Sequence, residues 1–216
     1  MSGRTADLFA PAEHRETLAE GAVILRGFAL DRETALAAAI EQVTATAPFR
    51  HMETPGGHRM SAGMTNCGGL GWTTDRRGYR YTRDDPETGR PWPAMPAVFR
   101  ELAIAAAAAA GYTGFDPDAC LINRYHPGAR MGLHQDRNEQ DFDAPIVSVS
   151  LGLTATFLFG GDRRADRPQR VPLQHGDVAV WGAAARLRYH GIAPLRAGSH
   201  PFAGQARINL TLRRAT

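Results

Sequence analysis

The 216-residue chain contains no lysine: its 25 basic side chains are all arginine, against 22 acidic ones. Guanidinium groups favour planar, bidentate contacts to carboxylates and phosphates. The formal net charge is only +3, so charge alone is weak support for a nucleic-acid partner. A GC-rich genome produces the same arginine bias, and both interpretations stay open.

Cysteine is nearly absent. Cys67 and Cys120 are the only two, and they form no CxxC pair, which argues against a disulfide framework or a thiolate zinc site and favours a reducing cytoplasm. No apolar run approaches the ~20 residues of a membrane span, and residues 1–16 lack the apolar stretch of a secretory signal. The length fits a single domain, 1–216, which we expect to be monomeric.

The first part of the chain predicts a short strand and a helix. Residues 22–28 form an apolar run typical of a strand. Asp31 is the expected N-cap of an amphipathic helix over 32–47, which Pro48 ends. Three apolar residues share the predicted buried face of this helix: Leu36, Ile40 and Val43.

Between residues 49 and 96 the periodicity is lost. This stretch is rich in glycine and proline and carries large aromatic side chains, namely Trp72, Tyr79, Tyr81 and Trp92. A long segment without periodicity is more often functional than idle in a compact domain, and the aromatic residues argue against disorder. We expect short strands here that cover a substrate site.

A second helix and a β-rich region follow. Residues 97–110 predict an alanine-rich helix with Val98, Leu102 and Ile104 inward and Gly111 as its C-cap. Short strands at close spacing then favour a sandwich or jelly roll. The predicted strands are 119–125, 145–151, 154–159, 171–174, 177–181, 187–191 and 206–213. The chain is therefore expected to be α+β, mainly β, with helices before the β-rich core.

A candidate metal site starts at His134 and Asp136. Residues two apart on an extended backbone point to the same side. His190, which ends the predicted strand 187–191, supplies a third ligand from a distant part of the chain. Two histidines and one carboxylate that leave open positions form the facial triad of non-haem iron(II) oxygenases.

A second HxD motif occurs at His175 and Asp177. There Gly176 and Asp177 are typical of a turn that leads into the apolar strand 177–181. Its third ligand would have to be His190 or His200, which lie close by in sequence, so the triad at 134, 136 and 190 is favoured. The remaining histidines are expected in loops or on the surface: His14, His51, His58, His126 and His200.

The last predicted strand has one entirely polar face, which consists of Arg207, Asn209, Thr211 and Arg213. This pattern fits an edge strand with a solvated face, and it equally fits a polar interior in which two arginines bracket a dicarboxylate. Beside a facial triad the second interpretation is favoured. Upstream, Asn123 and Tyr125 face one way and can both hydrogen-bond a carboxylate.

Seven runs of the sequence, taken together, resemble the AlkB family of dioxygenases. They are PGG, TNCGGLGWTTDRRGYRY, PDACLINRYHPGARMGLHQD, APIVSVSLGL, HGDVAVWG, RYHGI and RINLTLR. They occur in the family's order and spacing, from about residue 7 to residue 213. HxD alone is common among dioxygenases, whereas the Asn-Arg-Tyr run combined with a terminal arginine strand is far more specific.

The resemblance implies a fold and a set of ligands. The fold is a double-stranded β-helix (jelly roll) with N-terminal helices, a nucleotide-recognition lid at 49–96 and a catalytic core at 119–213. Iron(II) is implied at His134, Asp136 and His190, with 2-oxoglutarate and O2 as co-substrates. The implied 2-oxoglutarate contacts are Asn123, Tyr125, Arg207, Asn209 and Arg213.

The resemblance also implies a reaction and a substrate. The reaction is oxidative removal of alkyl groups from bases such as 1-methyladenine and 3-methylcytosine, a direct-reversal DNA repair that releases succinate, carbon dioxide and formaldehyde. Alkylated DNA, single-stranded by expectation, is the implied partner, with RNA left open. The target base stacks on Trp72, Tyr79 and Tyr81 contact the nucleic-acid backbone, and Arg164 contacts the substrate.

Two positions depart from the bacterial pattern of the family. Asn138 stands where an aspartate lies near the exocyclic amine of the target base. Its oxygen can still accept a hydrogen bond, but it lacks the negative charge that favours a cationic methylated base. Ala185 stands where a small polar residue is found, and we expect a modest effect.

Two other functions are compatible with parts of the sequence. A 2-oxoglutarate dioxygenase that acts on a protein or a small metabolite would use the same iron site and differ in the 49–96 segment. A non-catalytic, cupin-like module with a structural metal would need a closed ligand shell with a fourth protein ligand. The sequence offers no fourth ligand with convincing spacing.

Overall fold

The computed structural model describes residues 15–216. It contains two helices, α1 (Glu33–Thr46) and α2 (Ala97–Ala109), and short 3₁₀ turns at Leu30–Arg32 and Ala183–Ala185. The strands, numbered β1 to β13 in chain order, are Arg15–Ala19, Ala22–Leu25, Gly63–Gly68, Gly71–Asp75, Gly78–Thr82, Ala119–Tyr125, Met131–His134, Ile146–Gly152, Ala155–Phe159, Gln169–Leu173, Val178–Trp181, His190–Ile192 and Arg207–Arg213. His14 and the start of the family resemblance lie outside the described residues.

The strands form a seven-stranded sheet, a four-stranded sheet and a separate hairpin. The larger sheet has the order β1-β2-β11-β8-β13-β6-β3, the smaller one β10-β9-β12-β7, and β4 pairs with β5. At the centre of the larger sheet, β11, β8, β13 and β6 come from distant parts of the chain and run antiparallel to their neighbours. Such crossovers are typical of a jelly roll, and the mainly-β prediction is confirmed. Within residues 15–216, no helix is long and apolar enough to span a membrane.

The larger sheet is buried on both faces. Its outer face packs under α1 and α2 through side chains such as Ile122, Val149 and Leu210. Its inner face meets the smaller sheet through a second apolar cluster that includes Phe157 and Trp181. Because strand side chains alternate between faces, residues of one strand serve either the helix-packed core or the space between the sheets.

Strand β13 lies at the centre of this arrangement, hydrogen-bonded to β8 on one side and β6 on the other. Leu210 and Leu212 point to the helices, whereas the polar face points between the sheets and is buried. The solvated edge-strand alternative is therefore wrong, because both edges of β13 are paired.

The helices agree with the sequence prediction in extent and differ in detail. Helix α1 buries the predicted residues, but Asp31 is not its N-cap: it lies in a 3₁₀ turn, and the helix makes no side-chain cap. A bond from the Ala29 N–H to the Gly176 oxygen (2.9 Å) holds this turn. Helix α2 is rotated from its predicted face: Leu102 is buried, but Phe99 takes the inward position expected for Val98 and Ile104.

Part of the predicted lid segment belongs to the main sheet. Strand β3 pairs along its whole length with β6, so the β4–β5 hairpin is the portion of 49–96 that forms a sheet of its own. The predicted strands do not include β1 and β7, whereas β3 lies within 49–96, where short strands are expected without assigned bounds. Strand β12 begins at His190 instead of ending there, because residues 186–189 form a turn and irregular backbone.

Candidate metal and co-substrate site

Two strands of the smaller sheet place the predicted histidines side by side. His134 ends β7 and is the register partner of His190, the first residue of β12. Asp136 follows β7 by two residues. The Nε2 atom of His134 lies 3.6 Å from Oδ1 of Asp136, and Nε2 of His190 lies 3.8 Å from Oδ2. The structure thus brings the three predicted ligands together, with their ligand atoms within 4.8 Å of one another.

The backbone fixes which nitrogen of each histidine is free. Nδ1 of His134 lies 2.9 Å from the Gly132 carbonyl, and Nδ1 of His190 lies 3.0 Å from the Arg188 carbonyl. A carbonyl only accepts, so Nδ1 must carry the proton and donate. Each Nε2 then keeps its lone pair and faces Asp136. This outer arrangement is the one that orients histidines for metal binding.

The second HxD motif has the opposite arrangement. Nδ1 of His175 accepts from the Gly152 N–H at 2.9 Å, and Nδ1 of His200 accepts from the Phe202 N–H at 3.1 Å. Neutral rings that accept at Nδ1 carry their proton at Nε2. Neither Nε2 then offers a lone pair to a metal, which supports the sequence-based preference for the other motif. Gly176 lies in a turn with a φ of 85°, as predicted.

The charge balance also suits a metal. Burial acts to raise the pKa of Asp136, but the positive charge and hydrogen bond of Arg213, together with His190 and His134, more than offset burial and hold that pKa well below its usual range. Burial, with a contribution from His134, lowers the pKa of His190 to about 4. Asp136 and His190 are therefore deprotonated near neutral pH, as metal binding requires. Among residues 15–216, no fourth histidine, cysteine or carboxylate joins this group, which argues against a closed structural shell.

A cavity of about 60 Å³ lies between the sheets beside the two histidines. Its floor is polar and comes from three adjacent strands of the larger sheet. Cross-strand partners share a face, and the register aligns β13 with β6 and β8. The polar floor residues are Asn123, Tyr125, Ser148, Arg207, Asn209, Thr211 and Arg213.

Arg207 has spare hydrogen-bond donors although it is only 1% exposed. Its Nη2 donates to Ser150 at 2.9 Å, and its guanidinium lies over the Tyr125 ring at 5.3 Å. Its Nε and Nη1 have no partner within residues 15–216. Burial lowers the pKa of this side chain. Buried donors normally find partners, so this guanidinium fits a ligand carboxylate.

The other predicted co-substrate residues differ in whether their polar atoms already have hydrogen-bond partners within the protein. Oδ1 of Asn123 is buried and accepts no hydrogen bond from the described residues. The side chain of Asn209 is hydrogen-bonded within the cavity floor, since its Nδ2 donates to Ser148 at 2.8 Å. Arg213 donates to Asp136 at 2.8 and 3.0 Å. The two arginines of β13 therefore have different environments, and Arg207 is the one with unpaired donors.

The β4–β5 hairpin brings the predicted substrate residues together. Trp72 is the register partner of Tyr81 and stacks on Tyr79 with ring centroids 5.7 Å apart. The Trp72 Nε1 donates to Oδ1 of Asn138 at 3.2 Å, so the indole lies close to the segment that carries Asp136. The Tyr81 hydroxyl donates to Glu139 at 2.6 Å.

Arg164 is exposed on the loop that connects β9 to β10. The last residue of β9, Phe159, is the register partner of His190. The loop thus starts at the metal end of the smaller sheet. Arg164 is therefore exposed on a loop that begins beside the predicted metal ligands.

Sequence reasoning missed several residues of the site. Ser148 and Ser150 support the floor, and their signal was present as polar alternation in the run IVSVSL. Glu139 and Arg186 are buried and ion-paired at 3.2 Å. No local pattern marks these two, because their pairing joins segments 47 residues apart.

Comparisons with known proteins are consistent with this geometry. Residues 21–213 match the model of the 2OG-Fe(II) oxygenase superfamily. The chain is 59% identical to the Alpha-ketoglutarate-dependent dioxygenase AlkB of Escherichia coli (strain K12) over 97% of both chains. It is 46% identical to the AlkB homolog of Caulobacter vibrioides (strain NA1000 / CB15N), over 86% of this chain and 83% of the homolog. The solved structure of OsALKBH1 superposes with a TM-score of 0.80 at 28% identity, covering 93% of this chain and 99% of the other.

Proposed function

The chain belongs to the 2OG-Fe(II) oxygenase superfamily and, within it, to the AlkB family of alpha-ketoglutarate-dependent dioxygenases, and on that premise we propose that it removes alkyl groups oxidatively from nucleic-acid bases. One observation carries the proposal: the ligand triad with both Nε2 atoms directed at its carboxylate adjoins the buried Arg207, whose Nε and Nη1 have no partner among residues 15–216. Relatives named DNA N(6)-methyladenine demethylase and Nucleic acid dioxygenase act on the same class of substrate.

The residues present fit iron(II) and 2-oxoglutarate. His134, Asp136 and His190 would hold the metal, because they supply two imidazoles and one ionised carboxylate and leave further positions open. When bound, iron(II) with 2-oxoglutarate and O2 supplies the oxidation that hydroxylates an alkyl group on a ring nitrogen. The protein's contribution is to keep Asp136 and His190 deprotonated and largely shielded from water, since they are only 9% and 5% exposed.

The co-substrate contacts follow from the cavity floor. Arg207 would pair with the distal carboxylate of 2-oxoglutarate through its unpaired Nε and Nη1, with Tyr125 and Asn123 beside it. Asn209 would hold the floor through the serines of β8. Arg213 would mainly orient Asp136, to which it donates a hydrogen bond. It would contact 2-oxoglutarate while that hydrogen bond is kept.

The substrate surface would be the β4–β5 hairpin. Trp72 would stack on the target base, a contact worth ~1–3 kcal/mol, and attract a cationic methylated base through its π-face. Tyr79, which is exposed, would lie against the nucleic-acid backbone together with Tyr81, and Arg164 would approach from the β9–β10 loop. Asn138 would accept from an exocyclic amine through the lone pair that Trp72 leaves free.

Further properties belong to the same proposal. The substrate is alkylated DNA, preferably single-stranded, because a base in a duplex must first be flipped out of the stack. We propose one catalytic domain, with the hairpin region of 49–96 as the lid and 119–213 as the core, that acts as a monomer. The free thiols Cys67 and Cys120 fit a reducing cytoplasm.

A release assay tests the proposed function. Formaldehyde and succinate are measured with oligonucleotides that carry 1-methyladenine or 3-methylcytosine, as single strands, duplexes and RNA, with and without iron(II) and 2-oxoglutarate. We expect formaldehyde from the methylated strands in the same amount as the succinate formed above the level without oligonucleotide, and neither product without iron. Formaldehyde from a methylated peptide or metabolite, and none from any methylated oligonucleotide, would contradict the proposal and favour the alternative class of dioxygenase.

A further inference from the structure

Glu139 is a buried carboxylate that neither the metal nor the co-substrate uses. Its side chain is only 1% exposed. Its Oε1 accepts from the Tyr81 hydroxyl at 2.6 Å and lies 3.5 Å from Nε of Arg213. Its Oε2 accepts from Nη2 of Arg186 at 3.2 Å. A buried carboxylate needs such partners to offset its lost hydration.

Both arginines that hold Glu139 also hold Asp136. Arg213 directs Nε and Nη2 to Oδ2 of Asp136 at 3.0 and 2.8 Å. Arg186 donates from Nη1 to the backbone carbonyl of Asp136 at 3.0 Å. With Oδ2 engaged, Oδ1 of Asp136 lies 3.6 Å from Nε2 of His134 and is the oxygen free to turn to the metal position. The orientation of Asp136 thus depends on two arginines whose common counter-ion is Glu139.

The hairpin enters this network through a single hydroxyl. Tyr81 belongs to β5, which pairs with β4 and with no strand of the two larger sheets. Its bond to Glu139 spans 58 residues of sequence. The other side-chain hydrogen bond between the hairpin and this segment is that of Trp72 to Asn138, an exposed residue. Tyr81 is therefore the contact through which the hairpin reaches the buried charges.

We infer that Glu139 is a positioning residue that couples docking of the β4–β5 hairpin to the orientation of the Asp136 carboxylate. With the hairpin docked, Tyr81 holds Glu139, and Glu139 holds Arg213 against Asp136. When the hairpin lifts, Glu139 loses one partner and Arg213 is less constrained. The inference rests on the proposed function, in which the hairpin covers the substrate. It implies that the Asp136 carboxylate is correctly oriented for the metal only while the hairpin is docked.

Reciprocity between two coupled sites provides the test. If hairpin docking favours metal binding, then metal binding must favour hairpin docking by the same factor. Amide hydrogen exchange of residues 71–82 is measured with and without Co(II), together with Co(II) affinity, in four proteins: wild type, Glu139→Gln, Tyr81→Phe and Glu53→Gln. Glu53→Gln is the matched control, because Glu53 pairs with Arg76 in the turn of the same hairpin at 2.9 Å, and its side chain is 42% exposed.

We expect Co(II) to slow hairpin exchange in the wild type and in Glu53→Gln. In Glu139→Gln this slowing disappears and Co(II) affinity falls about 10-fold or more, the range typical of residues that orient metal ligands. Tyr81→Phe removes the hydroxyl and leaves every ion pair in place, so the Co(II) affinity of this variant falls by a smaller factor. Co(II) also no longer slows amide exchange of its hairpin.

Three results would overturn the inference: no effect of Co(II) on wild-type hairpin exchange, undiminished slowing in Tyr81→Phe, or wild-type Co(II) affinity in Glu139→Gln. If Glu139→Gln does not fold, Tyr81→Phe decides by itself. A merely structural Glu139 would lower thermal stability without altering the Co(II) effect on the hairpin. Because none of these measurements uses a nucleic acid, failure of the demethylation assay and failure of the coupling are distinguishable.

Discussion

Arg213 and Asp136 lie 77 residues apart in the chain, and Nε and Nη2 of the arginine both donate to Oδ2 of the aspartate. This contact keeps the carboxylate ionised despite its burial. Arg213 ends β13 and Arg207 begins it. One strand therefore supports the metal ligand at one end and offers unpaired donors for the co-substrate at the other, which fixes the distance between the two functions.

Loss of any triad residue should abolish turnover. His134→Ala, Asp136→Ala and His190→Ala each remove one of three protein ligands, and a facial triad has none to spare. Mn(II) binding, measured by titration calorimetry, should be lost or strongly weakened in all three. His175→Ala, in the second HxD motif, is the matched control and should bind Mn(II) as the wild type does; the reverse pattern would assign the metal to that motif.

Arg207→Ala should weaken 2-oxoglutarate binding by roughly 10- to 100-fold, since hydrogen bonds to a charged group contribute about 1.5–3 kcal/mol. Calorimetric titration of 2-oxoglutarate into the Mn(II)-loaded protein measures the effect. Arg170→Ala, which removes an exposed arginine from β10, should leave the affinity unchanged. Wild-type affinity in Arg207→Ala would mean that the diacid binds elsewhere on the floor.

Trp72→Ala should lower kcat/KM for a methylated oligonucleotide by roughly 10- to 100-fold, the scale of one lost base stack. Trp72→Phe keeps an aromatic face and loses the hydrogen bond to Asn138, so its kcat/KM should fall less than that of Trp72→Ala. Oligonucleotide-independent succinate formation should decline much less than repair in both variants. Equal losses in the two assays would make Trp72 a structural residue, and no loss in either would remove the hairpin from the substrate site.

Gly71→Ala should destabilise the fold by about 1–3 kcal/mol, the usual cost of overpacking. A Cβ at this position would overlap the indole of Trp92, which packs directly against the backbone of β4. Gly69→Ala is the matched control, because its Cβ would meet no atom closer than Asp118 O at 3.8 Å. Urea denaturation gives the free energy of unfolding; equal stability of the two variants would show that Trp92 moves aside at no cost.

His175 should make stability depend on pH. Burial and then the charge of His200 lower its pKa below the usual 6.5, although Glu33 and Asp177 act in the opposite direction. The unfolded chain therefore takes up this proton first, so the stabilisation is present above pH 6.5 and is lost as the pH falls below it. One proton contributes a slope of at most about 1.4 kcal/mol per pH unit.

Urea unfolding between pH 7.5 and 5 (roughly one unit above and below the ordinary histidine pKa) isolates this contribution. His175→Gln should show a shallower loss of stability on acidification than the wild type. His126→Gln, which replaces an exposed histidine, should keep the wild-type slope. Identical slopes in wild type and His175→Gln would show that His175 takes up its proton equally in the folded and unfolded states.

Local patterns in the sequence determined a large share of this protein. Alternation in RINLTLR separated the polar and apolar faces of β13, and spacing picked out His134 and Asp136. The buried face of α1 followed from its period. These features were predictable because each depends on residues within one element, where side-chain direction follows directly from backbone geometry.

Only the tertiary structure decided which of these residues share a site and in what state. Whether Nδ1 of His134 or His175 donates or accepts depends on which backbone group the fold places beside it. Arg213 donates to Asp136, and Glu139 accepts from Tyr81 of the hairpin. Both contacts join residues that are far apart in the sequence. The sequence shows where a charged residue lies in the chain. Its ion-pair partner and its burial are determined only when distant strands pair, because both depend on packing across the sheets.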